Sequence, residues 1–85
     1  MIAKFYYNIA RHHGKYGLMV KVWKDEETKY RFINARTYEE LENNKPVMVA
    51  KTYKFNTDDG CDIDAQVMEL KAKVLKIYPH TSFLN

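Results

Sequence analysis

Ile2-Ala3-Lys4-Phe5-Tyr6-Tyr7-Asn8-Ile9 is the stretch on which the fold turns. Its residues alternate in chemistry. Ala3, Phe5, Tyr7 and Ile9 form one set; Ile2, Lys4, Tyr6 and Asn8 form the other. A period of two marks a β-strand, because successive side chains point to opposite faces of a sheet. The second set places a cation two residues from a flat ring. The same pairing recurs at Lys21 with Trp23 and at Lys51 with Tyr53. A face of cations and rings suits a phosphate backbone and unpaired bases.

The neighbouring segments extend this pattern into a sheet. Residues 10–17 (ARHHGKYG) carry two glycines and read as a loop or wide hairpin. Residues 17–24 (GLMVKVWK) form a second expected strand, with Leu18, Val20 and Val22 inward and Met19, Lys21 and Trp23 on the other side. Asp25-Glu26-Glu27-Thr28 reads as a polar turn. Residues 29–35 (KYRFINA) read as a third strand, with Arg31 and Ile33 on one side. Three successive strands with short links imply an antiparallel meander.

Thr37-Tyr38-Glu39-Glu40 then fits a capping box, which predicts a short helix from about Tyr38 to Asn43. Residues 47–55 (VMVAKTYKF) form the last expected strand. Val47, Val49, Lys51, Tyr53 and Phe55 would share a face, a mixture that suggests a bulge near Lys51. Asn56 to Cys61 read as a loop. Asp62 would cap a helix over roughly 63–78, where Val67, Leu70, Val74 and Ile77 recur at helical spacing. Pro79 stops it, and Phe83 and Leu84 either tuck back or stand out as a hook. The expected fold is α+β: a mainly antiparallel four-stranded sheet in the order β-β-β-α-β-α, with the long C-terminal helix packed on one face. Residues 1–85 read as a single small domain.

Composition narrows the function. Apolar residues make up 46% and charged residues 29% of the chain, a globular balance rather than a disordered one. The net charge of +3 permits an acidic partner without demanding one. A single cysteine, Cys61, points to a reducing compartment, and no apolar run suggests a membrane span. The expected location is the cytoplasm.

No sequence motif for catalysis stands out, so the chain reads as a binding protein rather than an enzyme. The candidate contacts are Tyr6, Arg11, His12, Lys15, Tyr16, Lys21, Trp23 and Arg31. Arg11, His12, Lys15, Lys21 and Arg31 would hold phosphates. Tyr6, Tyr16 and Trp23 would stack on bases or anchor a partner. His12 and His13 could act as acid and base of a small nuclease, but adjacent residues on a strand end point apart. Asp58, Asp59, Asp62 and Asp64 gather beside Cys61 without the spacing of a calcium loop, so neither metal nor cofactor is expected.

The stretches KFYYNIARHHGKYG and KTYKFNTDDG give the chain a lysine- and tyrosine-rich style that resembles the small accessory, counter-defence proteins of T-even-type phages. The resemblance lies in size and composition across the whole chain, and no residue role is carried over from it. Such proteins block host defence enzymes, among them the ribonuclease toxin of a type III toxin–antitoxin system. The resemblance therefore implies an inhibitor in the cytoplasm of an infected bacterium, with RNA and the toxin as partners. A protein-only inhibitor docking through the open sheet face, and a homodimer formed through that face, are the competing expectations.

Overall fold

The computed structural model describes residues 1–10, 15–55 and 63–84. In chain order the elements are β1 (Ile2–Ala10), β2 (Lys15–Trp23), α1 (Glu26–Ile33), α2 (Tyr38–Asn43), β3 (Met48–Phe55), α3 (Ile63–Ile77) and β4 (Ser82–Leu84). The sheet has four strands in the order β3-β2-β1-β4. The chain is α+β, as its alternation implies, but the sheet is mixed. β1 pairs antiparallel with β2 and β2 antiparallel with β3, while β4 pairs parallel with β1.

Two corrections to the expected element order have one origin. Residues 29–35 are not a strand, and Asp25 to Thr28 is not a turn. Asp25 is the N-cap of α1: its carboxylate accepts from the Thr28 backbone N–H at 2.7 Å and from the Thr28 hydroxyl at 2.6 Å. Glu26 and Glu27 then sit in the first turn, where the helix dipole favours negative charge. Arg31 falls one turn after Glu27 and pairs with it. Asn34 closes the helix, its backbone N–H and side-chain amide both donating to the Tyr30 carbonyl. The sheet regains its fourth strand from the tail, which does tuck back. Ser82 N–H donates to the Met1 carbonyl at 2.9 Å, and the Phe83 ring stacks on Phe5 with centroids 5.9 Å apart.

β3 and β4 both run parallel to β1, so the chain between them must cross back over the sheet. α3 is that crossover and packs on β3 and β2. Its Leu70 and Val74 close on Ala3, Leu18, Val20 and Val22, and all six are buried. Phe5, Met48, Ala50, Val67, Tyr78 and Phe83 pack around them. α2 spans Tyr38–Asn43 as its cap implies: the Thr37 hydroxyl accepts from Glu40 N–H at 3.1 Å, and Glu40 accepts from Arg36 N–H at 2.9 Å.

One polar bond crosses this interior. Thr52 on β3 donates its hydroxyl to Gln66 Oε1 on α3 at 2.8 Å, with both residues buried. A buried hydroxyl needs such a partner. Thr52→Val is expected to destabilise the fold by about 1 kcal/mol, since the shape is kept and the bond lost. Urea unfolding should show a lower midpoint at unchanged slope.

Candidate functional site

The strand registers place the second sheet face in rows. Val49, Lys21, Lys4 and Leu84 lie side by side across β3, β2, β1 and β4. The next row runs Lys51, Met19, Tyr6. The β2–β3 register continues unbroken through Met19↔Lys51, so the bulge expected near Lys51 is absent. Met48, Ala50 and Thr52 turn to the core instead, which leaves Val49 and Lys51 exposed on this side.

At the centre is the Tyr6 ring. Lys4 Nζ lies 5.5 Å and Lys21 Nζ 5.1 Å from its centroid. Lys21 also lies 5.3 Å from the Phe32 ring of α1. Lys4 and Lys21 are direct cross-strand partners, an arrangement of like charges that costs stability. Neither they nor Lys51 pairs with a carboxylate among the described residues; the ion pairs there are Arg31–Glu27, Lys45–Glu42 and Lys73–Glu69. The attraction of both ammonium groups to the ring offsets part of the repulsion. Partial burial pushes the Tyr6 phenol above its ordinary 10.0, so the ring stays neutral at physiological pH. The face thus carries three cations, a neutral half-buried ring and the apolar Met19 between Tyr6 and Lys51.

The expected contacts divide. Tyr6 and Lys21 meet, as the alternation implies. Trp23 does not join them at the surface. It is 0% exposed, with its ring 5.6 Å from Phe32 and tilted 55° to it. Once residues 26–33 form a helix, α1 covers the Trp23 end of this face, and the expected anchor becomes core. Its indole N–H has no acceptor among the described residues. Arg31 also leaves the sheet. It sits on α1 and lines a cleft of about 270 Å³ between α1 and α2, with Tyr30, Asn34, Glu40 and Asn44. Three side-chain donors of that cleft are already engaged: Arg31 with Glu27, Asn34 with the Tyr30 carbonyl and Asn44 with the Glu40 carbonyl. Lys15 and Tyr16 are placed by backbone in β2, opposite Ala10 and Ile9. Arg11 and His12, with His13 and the carboxylates Asp58, Asp59 and Asp62, lie outside the described residues. Lys4, Lys51 and Phe32 are the contributors missing from the expected contacts, although the alternation with Tyr6 already places Lys4 on this face. Lys51 was visible in its spacing from Tyr53 but stood among valines; Phe32 was hidden by the strand reading of its segment.

Asp25 connects the site to pH. Its hydrogen bonds with Thr28 hold its carboxyl below the ordinary 3.8. A depressed carboxyl stabilises the fold above its unfolded value, and that contribution is lost as pH falls through the lower folded one. Acid should therefore loosen α1 first, read as a red shift in the fluorescence of the sole tryptophan, Trp23. Asp25→Asn, which still caps, should flatten this pH dependence, while Asp25→Ala should shift the emission already at neutral pH.

Comparison with known proteins gives no match, whether to a family model, a curated protein or a solved structure. Among the described residues no helix is long and apolar enough to cross a membrane, and no group of His, Cys, Asp or Glu could hold a metal ion.

Proposed function

We propose that this chain is a non-enzymatic binding module that engages single-stranded RNA through the open sheet face, and that it serves as a phage inhibitor of a host defence ribonuclease toxin. One observation carries the RNA reading: Lys4 stands directly opposite Lys21, both ammonium groups rest on the Tyr6 ring, and no carboxylate among the described residues neutralises them. An anionic strand removes the repulsion when the lysines swing from the ring to its phosphates. The vacated ring then offers its π-face to a base. Met19 supplies apolar floor beside it, and Val49 lies beyond Lys21 on β3. The likeness to small T-even-type phage accessory proteins supports the counter-defence setting. The partners are then RNA and the toxin, in the bacterial cytoplasm.

A protein-only inhibitor is the second reading, favoured by Val49, which is 46% exposed on the edge strand β3 of the same face. Fluorescence anisotropy with a labelled oligouridylate separates the two. RNA binding should weaken steeply between about 50 and 200 mM salt, with a slope of log K on log salt near −2 from three lysines. No binding even at low salt would sink the RNA reading and leave the protein-only one.

A further inference from the structure

Lys21 stands between two rings. Its Nζ lies 5.1 Å from the Tyr6 centroid and 5.3 Å from that of Phe32, so an ammonium group reaches over both. The rings belong to different elements, Tyr6 to β1 and Phe32 to α1. On this side of β2, Met19, Lys21 and Trp23 succeed one another at intervals of about 6.5 Å. Met19 is the cross-strand partner of Tyr6, Lys21 that of Lys4, and Trp23 carries Phe32. The order along the strand is therefore ring, pair of cations, ring. Tyr6 and Phe32 are both half-buried and keep part of their surface in solvent. Neither Lys4 nor Lys21 pairs with a carboxylate among the described residues.

Resting on the RNA reading, we infer that Phe32 is a second base platform and that the unit held by this face is a dinucleotide step. Its linking phosphate sits on Lys4 and Lys21, one base stacks on Tyr6 and the next on Phe32. A single strand alternates base, phosphate and base, as the face alternates ring, cations and ring. When Lys21 turns to the phosphate it leaves both rings at once, so a single phosphate contact opens two stacking surfaces. The phosphate also removes the repulsion between the two lysines, which no mononucleotide base does. Phe32 is held in place by the fully buried Trp23, 5.6 Å away, so little ordering is needed when a base arrives. A phenyl ring meets the π-face of a base and reads no edge, so this position accepts any base but requires one.

Two ligands of equal length separate base from backbone: an oligouridylate and an abasic ribose-phosphate oligomer. Phe32→Leu keeps an apolar side chain against Trp23 and should keep the circular dichroism of the fold. It should weaken oligouridylate about tenfold and leave the abasic oligomer within about twofold. The salt slope should not change, because no cation is lost. Phe32→Tyr, which can still stack, should bind as wild type does. In the wild-type full chain, the ring resonances of both Tyr6 and Phe32 should move with oligouridylate, and this reading holds even if Phe32→Leu folds poorly. Oligouridylate binding that ignores Phe32→Leu, or wild-type shifts at Tyr6 without shifts at Phe32, would overturn the inference and leave the RNA reading standing. So would equal weakening of both oligomers by Phe32→Leu, the mark of a purely structural ring. Absence of oligouridylate binding at low salt would overturn both.

Discussion

Trp23→Ala is expected to destabilise the protein by about 3–5 kcal/mol, the range for truncating a buried aromatic. For a chain of 85 residues the whole stability is only about 4–13 kcal/mol, so the variant should lose a large fraction of it. The loss arises in one place. Trp23 is fully buried, and its contact with Phe32 ties α1 to the sheet. Removing the indole leaves a cavity that α1 cannot fill without shifting its cap at Asp25. Trp23→Phe should behave differently. It gives up part of the packing but also removes an indole N–H that lacks an acceptor among the described residues, a defect worth about 1–3 kcal/mol. The two effects oppose, and the net change should stay within about 1.5 kcal/mol. Chemical denaturation of both variants checks this. A Trp23→Ala protein as stable as wild type would mean that α1 does not seal the Trp23 end of the face.

The second large effect falls on binding and spares the fold. Changing Lys4, Lys21 and Lys51 together to glutamine should lower RNA affinity about 400-fold at roughly 50 mM salt. That figure follows from three lost phosphate contacts, which reduce the salt slope by about 2 and act over a twentyfold dilution from 1 M. Stability should move little. Separating the like charges of Lys4 and Lys21 gains about 0.2–1 kcal/mol, and losing their contact with Tyr6 costs a similar amount. The combination of lost affinity and kept stability is the signature of residues held for a partner. A lysine-free face that binds RNA as wild type does would assign the binding elsewhere.

Much of this face was legible in the chain, because alternation is a local property. Lys4 and Tyr6 share a side of β1 and Met19 and Lys21 a side of β2 whatever else the protein does, and the hairpin brings them together. Trp23 shows where that logic stops. Its side of the strand was right, yet its exposure depended on α1, and α1 depended on Asp25 acting as a cap. Asp25-Glu26-Glu27-Thr28 serves equally well as a turn or a first helical turn. Tyr30, Phe32 and Ile33 carry too little apolar weight to decide, with Tyr30 and Ile33 exposed even in the helix. Arg31 was misplaced by the same ambiguity. β4 escaped for another reason. Three residues have no period of their own, and only pairing with β1 makes Ser82–Leu84 a strand. Lys51 was obscured because Val47 and Val49, which look like core, stand on its side and are exposed there.

The most direct measurement follows backbone amide shifts of the isotope-labelled full chain while a short oligouridylate is added at low salt. If the open sheet face receives RNA, the perturbed amides cluster at Lys4, Tyr6, Met19, Lys21, Val49 and Lys51. Shifts confined to Tyr30, Asn34, Glu40 and Asn44 in the cleft between the short helices, or no shifts at all, would contradict it.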